Sequence, residues 1–553
     1  MVRSGNPILG GMNHTAARLE TIERRPAPGP ARYRVMLSLA VVVALTACRA
    51  RGDDQDLVIA ATGEPTTLLP PLVADAAGRD VSDLIYEPLA SLSVGGSPYD
   101  STALEPGLAA SWSRVDSVTW RFSLRPNAKW HDGTPVTAED VVFSFAAYTD
   151  TSLGAPGIAL MDAQVSSDGP RGVLVRFPRP SPDQLYDAAT TIRVLPRHLW
   201  GSLPTGSWAG DSSLSRLIGS GAYRLAEWRR GQSLILERVR GTSFRRIAWR
   251  YAADQEAALN LTLSGEADLL ETVTSPSARQ RARADTSLQL VAYPSAVYGF
   301  LGFRLADPAG RAHPVLTDRG VRQALTHAID RRALVAAVIG DDAVVPPGPL
   351  SRAAWIWNDS IRTLGYDLER AGALLDGAGW TRGADGMRRR SRQPLTIDIL
   401  VPSTSSARRQ LAEGIQQMWR QAGVSATITA VDFPIFQKRL ATGRFEAMIG
   451  AWRDEPKPTG VVDQWTAAGI GRLNHGRYQN PAFDGLVARA LAAATPGASR
   501  ALWREAMDTL NLDAPAVFLY TPTNVMIASG RLRDITIDPY SWLHRVASWT
   551  KGP

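Results

Sequence analysis

Hydrophobic and polar positions alternate cleanly over SVTWRFSLR (117–125), with Trp120, Phe122 and Leu124 on one side and Thr119, Arg121 and Ser123 on the other. That period of two predicts a half-buried strand. The pattern then changes. KWHDGTPVTAEDVVFSF (129–145) sets the turn pair Asp132-Gly133 before Thr137, placed to cap a helix, with Asp140 three residues on and Val141, Phe145 and Tyr148 at helical spacing. The same run puts His131 beside Asp132 and close to Glu139 and Asp140, a grouping open to a catalytic or metal-binding reading. Turn chemistry and the helix dipole account for all four residues without a reaction. Asp132 shapes the turn, the two later acids favour a helix N-terminus, and His131 packs in or beside the turn.

Further along, TDRGVRQALTHAIDRRALVAAVIG (317–340) reads as one helix, capped by Thr317 or Asp318, striped by Val321, Leu325, Ala328 and Arg332, and stopped by Gly340. YDLERAGALLDGAGW repeats the form: Asp367 caps, Ala371, Leu374, Leu375 and Ala378 stripe, Gly379 ends it. LAEGIQQMWRQAGV gives a third helix through Leu411, Ile415 and Met418 to Gly423. A strand (425–433), a short helix (435–443) and another strand (444–452) follow. Helices alternating with strands from about 317 to 453 predict an α/β lobe with mainly parallel pairing. The earlier half is richer in strands and turns, which suggests a β-rich insertion. At 553 residues the chain exceeds one ordinary core, so two or more lobes are expected.

The formal charge of +8 raises nucleic-acid binding, which the distribution argues against: nearly all the basic residues are Arg, interspersed with Asp and Glu. The one dense cluster, RGADGMRRRSR (382–392), reads as an exposed turn broken by Gly383, Asp385 and Gly386. Half of the excess charge lies in residues 1–47, which carry six Arg and two Glu. There, Arg32 and Arg34 precede the apolar run VMLSLAVVVAL and the ending LTAC, the organisation of an export signal. The run is too short to span a bilayer comfortably. Its ending resembles the lipobox of bacterial lipoproteins, which would make Cys48, the chain's single cysteine, the site of lipid attachment at the outer face of a bacterial membrane or in the periplasm. Residues 1–31 resemble an over-long leader or the product of a misplaced start codon.

Motifs for enzyme chemistry are missing. There is no GxxxxGK[ST], no GxGxxG at a strand-to-helix junction, no GxSxG, and no HExxH or HxxxH among the seven scattered histidines. No enzyme activity, cofactor or metal is therefore expected.

The segments also arrive in a familiar order. GEPTTLLPP (63–71), LIYEPLASL (84–92), LEPGLAASW (104–112), WRFSLRPNAKWHDGTPVTAEDVVFSF (120–145), LPRHLW (195–200), GSGAYRLAEWRRGQSLILER (219–238), LSGEADLLE (263–271), VRQALTHAIDRRALV (321–335) and RAGALLDGAGW (370–380) resemble the extracytoplasmic solute-binding proteins of peptide- and nickel-type ABC transporters. The resemblance runs from residue 57 to the C-terminus and treats the His131 run as scaffold. It implies an α/β, two-lobe periplasmic-binding-protein-like fold with a hinge and an extra β-rich subdomain on the first lobe. The expected divisions are an export signal (1–47), a tether (48–56), the first lobe (57–93, 215–300 and 516–553), its inserted subdomain (94–214) and the second lobe (301–515), with crossings near Phe300 and Leu519. The implied function is capture of a short peptide by hinge closure and delivery, as a monomer, to a membrane permease. Within the same fold the ligand could instead be a nickel chelate, haem, an oligosaccharide or an opine-like compound, or the protein could serve as a sensory receptor. An exported hydrolase is the remaining alternative.

In peptide binders of this family an aspartate after a Gly-Trp strand end takes the peptide's α-ammonium group. IGAWRDEPKP offers Asp454 for that role, with Arg453 beside it and Trp452 as a stacking wall; a solvated loop carboxylate and a core indole are the competing readings. The family pattern is usually longer here, so the register stays open. At the expected crossover, YGFLGFRLADP carries Tyr298 and Arg304, where relatives commonly have Asn in place of the Arg. Facing the cleft, Arg304 would take an anionic group; turned outward, it would not. Glu64 lies on a loop that often lines the chamber, with local structural support as its alternative.

Overall fold

Two sheets organise the chain, and each gathers strands far apart in sequence. The computed structural model describes residues 55–153, 162–340, 342–493 and 495–552, so the expected signal, lipobox and Cys48 lie outside the described residues. The first sheet has seven strands in the order Leu288–Pro294, Thr523–Ser529, Leu269–Leu270, Asp56–Ala61, Arg246–Tyr251, Ser233–Arg238, Tyr223–Arg229. The second has five: Ser425–Val431, Thr396–Pro402, Ala447–Arg453, Val297–Phe303, Ala516–Tyr520. Helices Ser406–Gln421 and Phe433–Ala441 return the chain between the first three of these, which pair in parallel as such crossovers require. The other two pair antiparallel. A four-stranded antiparallel sheet (Ala109–Arg114, Thr119–Leu124, Gly172–Arg176, Gln164–Ser167) forms a separate subdomain around Phe122, Trp130, Val141 and Phe145.

The chain passes between the two large sheets twice, side by side. Leu288–Pro294 pairs with Thr523–Ser529 in the first sheet, and Val297–Phe303 pairs with Ala516–Tyr520 in the second. Between them Ser295 N donates to the Pro522 carbonyl at 3.1 Å. Strand Ala516–Tyr520, assigned from sequence to the first lobe, is thus the edge of the second sheet, and residues 297–300 likewise belong there. The reason is the register: these strands hydrogen-bond to each other before either reaches the crossing.

Both faces of the second sheet are covered. Leu301 and Phe303 pack under helices Arg319–His327, Arg331–Val338 and Ser406–Gln421, while Tyr298 and Phe300 pack under Pro481–Leu491 and Pro496–Asp513. The single helix predicted for 317–340 is two: Asp330 accepts from Ala333 N at 3.1 Å and caps a new helix after the first ends at His327. The apolar stripe continues across this break, so periodicity alone hides it. Arg332 is exposed and takes no part in the stripe. The cluster at 382–392 is also more ordered than a turn. Arg388 is buried, bonded to Asp376 Oδ1 at 2.6 Å and to the Trp380 and Ala422 carbonyls at 2.7 and 2.9 Å.

Candidate functional site

The motif around His131 is a bracket. Thr137 N donates to Asp140 Oδ2 at 2.8 Å, closing the predicted capping box of helix Ala138–Thr149, and Asp132 Oδ1 accepts from Thr134 N at 2.9 Å. His131 Nδ1 accepts from Gly219 N at 3.3 Å, and Nε2 lies 3.1 Å from the Gly221 carbonyl. Gly219 must be glycine, because a Cβ there would come within 1.9 Å of the Ile85 carbonyl oxygen. The run therefore ties the subdomain to the first lobe.

The chemistry gathers instead where the lobes meet. Asp454 follows strand Ala447–Arg453; its N–H donates to the Ala296 carbonyl at 2.7 Å, and its carboxylate accepts from Ser351 N. Among the described residues no Lys, Arg or His forms an ion pair with it. Burial pushes the carboxyl up to about 7, against the hydrogen bonding from Ser351 and with the negative charge of Glu455 adding to the rise. Opposite it the first lobe presents residues 538–542. The Tyr540 carbonyl accepts from Arg453 at 3.0 Å, and Trp542 Nε1 donates to Asp80 Oδ2 at 2.9 Å. The Tyr540 hydroxyl is enclosed, has no hydrogen-bond partner among the described residues, and lies in the field of Asp454, Glu455 and Asp538. Burial, reinforced by Glu271 and Asp83, pushes Asp80 up to about 8, and burial pushes Glu271 up to about 7. The positive field of Arg453 opposes both shifts.

Beside this acidic region the second lobe grips the subdomain. Lys457 pairs with Asp183 and, at 2.8 Å, with Asp187, and Tyr99 meets Trp355 edge to face with centroids 5.4 Å apart. Burial pushes Asp187 up to about 6 even with the Lys457 ammonium beside it.

The other predicted residues fall elsewhere. Trp452 is half-buried and stacks on His475 with centroids 6.4 Å apart, inside the second lobe. Tyr298 is 1 % exposed, its hydroxyl donating to Gln464 and accepting from Trp465 Nε1 at 3.2 Å; it belongs to the core beneath Asp454, not to a ligand surface. Arg304 follows the far end of strand Val297–Phe303, roughly 20 Å along the strand from the crossing. Its guanidinium donates to the Phe445 carbonyl and acts on the Glu446 carboxylate, whose proton affinity it helps to lower. Glu64 accepts from Trp228 Nε1 and Gly231 N, both at 2.9 Å, which fixes the hairpin between strands Tyr223–Arg229 and Ser233–Arg238. The structure thus sets Asp454 and Arg453 beside residues 538–542, with Arg453 bonded to the Tyr540 carbonyl, and gives Trp452, Tyr298, Arg304 and Glu64 partners within their own surroundings. Sequence reasoning singled out none of Asp80, Glu271, Tyr540 and Lys457, which the structure places among the buried charges near the crossing. Glu271 closes the matched segment 263–271, Asp80 lies between the segments 63–71 and 84–92, and neither carries a pattern of its own, so only the fold brings both into the field of Arg453.

Two sheets are thus joined by paired crossings, and among the described residues Asp454 beside them is in no ion pair. The match to the family model for bacterial extracellular solute-binding proteins, family 5, over residues 103–471 settles the class: the chain belongs to that family, which is one of exported binding proteins and not of enzymes. It is 24% identical over 552 residues to the oligopeptide-binding protein AppA of Bacillus subtilis, covering 93% of this chain and 98% of that one. To the dipeptide-binding protein of Escherichia coli it is 23% identical over 541 residues, covering 92% and 97%. Among solved structures, AppA of B. subtilis in complex with a nonapeptide superposes with a TM-score of 0.70 at 22% identity, covering 90% of this chain and 99% of the other. NikZ of Campylobacter jejuni in complex with Ni(L-His) gives 0.70 at 23%, covering 90% and 100%.

Proposed function

We propose that this protein captures a short peptide between its lobes, with Asp454 receiving the α-ammonium group, and hands it to an ABC permease. What carries the reading is Asp454 itself: a crowded carboxyl at the crossing, held by a Ser351 N–H and lacking any cation among the described residues. Such a group is costly as an anion until a ligand supplies positive charge. Ligand touching both lobes stabilises the closed arrangement over the open one, and the closed shape is what a permease would recognise. The relatives' names support a peptide, and attachment through Cys48 would keep the protein at the membrane.

The test begins with native mass spectrometry of the mature protein, since an enclosed ligand should survive purification. Released masses that fragment as peptides are expected. One discrete non-peptide mass would overturn the peptide assignment while leaving the family intact. Asp454→Asn should then weaken binding of a peptide with a free amino terminus by tenfold or more and leave its N-acetylated form unaffected. Equal loss for both forms would remove Asp454 from the ammonium site.

A further inference from the structure

Helix Arg331–Val338 opens on two successive arginines, and both line a cavity of about 730 Å³ in the second lobe. The other walls are residues 343–347 and the stretch carrying Trp357, Ile361 and Tyr366. Ser351, Arg453, Asp454 and Tyr540 take no part in it, so it is a different place from the contact between lobes. The 343–347 wall is pinned along its length. Val344 and Thr521 exchange backbone hydrogen bonds at 3.0 and 2.8 Å, Asn511 Nδ2 donates to the Pro347 carbonyl at 2.7 Å, and the ring of Pro346 stiffens the chain between them. The hollow is therefore held open, at a size that suits a small molecule. The exposed Arg332 and Tyr366 stand where it meets solvent.

The charge on this wall is not matched from within the fold. Arg331 Nη1 donates to the Phe518 carbonyl on the edge strand of the second sheet at 3.2 Å, and Nη2 donates to the Leu364 carbonyl at 2.7 Å. Carbonyls orient the guanidinium without neutralising it, and other N–H groups of its fork stay uncommitted. Among the described residues neither Arg331 nor Arg332 is in an ion pair. Other enclosed arginines are matched: Arg388 by Asp376 at 2.6 Å and Arg193 by Asp83 at 2.9 Å. Two acids share the cavity walls, and both serve neutral donors. Asp330 accepts from Ala333 N at 3.1 Å, and Asp359 accepts from Trp357 Nε1 at 2.9 Å. Burial, with the Arg332 charge adding to it, pushes Arg331 down to about 10, which leaves it charged at neutral pH. An enclosed cation without a counter-charge is costly until an anion arrives.

We propose that this cavity is a separate binding site for a small organic carboxylate, its charge held by Arg331 and Arg332 and its apolar body lying against Val335, Pro346, Trp357 and Ile361. The guanidinium fork matches a carboxylate edge to edge. The carboxylates of Asp330 and Asp359 on the same walls oppose a dianion, which favours a single negative charge over a phosphate. All the groups involved stand on the second lobe, so binding here needs neither lobe closure nor a peptide at Asp454.

Titrations of the ligand-stripped protein near pH 7, followed through the NMR signals of the added compound, can test this with 3-phenylpropionate and hexanoate, their neutral amides, and inorganic phosphate in competition. At least one acid should bind saturably and tenfold or more tightly than its amide. Arg332→Glu reverses a charge at an exposed position, and Ala336→Trp fills the cavity from another exposed position, so both variants should fold. Each should weaken the acid tenfold or more. Absence of saturable binding by either acid, or equal affinity for acid and amide, would overturn the site. Full retention of binding in either variant would place the anion elsewhere on this basic chain and overturn it too. Inorganic phosphate bound more tightly than both acids would overturn the carboxylate assignment.

Discussion

Lys457 Nζ of the second lobe lies 2.8 Å from Asp187 Oδ2 of the subdomain, and Asp183 closes on the same ammonium. All three side chains are largely buried, at 13 %, 10 % and 15 % exposure respectively, so the contact is desolvated. Removing the ammonium strands two carboxylates near each other in a poor solvent. Lys457→Met should therefore cost on the order of 3 kcal/mol in the stability of the closed arrangement. The expected readout is a larger radius of gyration for the unliganded protein in solution scattering and weaker ligand binding. Adding Asp183→Asn and Asp187→Asn should recover part of the loss. An unchanged radius in Lys457→Met would mean that this contact does not hold the lobes together.

Much of the architecture was legible because period and punctuation agree. The alternation at Trp120, Phe122 and Leu124, the cap at Thr137 and Asp140, and the caps at Asp318 and Asp367 all became elements where expected. The site was less legible, for a physical reason. In Val297–Phe303 both faces are buried, so alternation cannot show which residues face a cleft, and Tyr298 was taken for a ligand contact when it packs under Trp465. For Arg304 the sequence left both orientations open; its guanidinium finds a local carbonyl, a partner no sequence pattern signals. Asp454 drew notice in the sequence because it follows a Gly-Ala-Trp strand end, which the structure confirms as the end of strand Ala447–Arg453.

The raised carboxyls predict an unusual pH response. Asp454 and Glu271 are pushed up to about 7 and Asp80 up to about 8, whereas in the unfolded chain each titrates in the ordinary range near 4. Between those limits the folded protein holds protons that the unfolded chain has lost. Stability of the ligand-free protein should therefore fall as pH rises from about 5 to 8, by up to ~1.4 kcal/mol per pH unit for each group that titrates. Chemical denaturation at fixed pH steps measures this, and a rising curve over that window would contradict the burial of these groups. A cationic ligand reverses the penalty by favouring the charged forms. Binding at pH 6.5 should release protons, seen as a dependence of the calorimetric heat on buffer ionisation enthalpy, and Asp454→Asn should release fewer.

Glu64 separates support from recognition. Its two oxygens take Trp228 Nε1 and Gly231 N, each at 2.9 Å, while the Arg230 guanidinium stacks on the Trp228 ring 3.5 Å from its centroid. Glu64→Ala leaves an indole N–H and a turn N–H without their acceptor, which should cost about 1–3 kcal/mol of folding stability. Glu64→Gln keeps one acceptor and should cost less. Neither variant touches Asp454, Asp80 or Glu271, so ligand affinity should stay within twofold once measurements are made well below the lowered melting temperature. The opposite pattern is expected of Asp454→Asn, which relieves a buried charge: stability at pH 8 should hold or rise while affinity for a free amino terminus falls. Loss of affinity in Glu64→Ala at full stability would return Glu64 to the ligand surface and move the binding chamber toward the first lobe's hairpin.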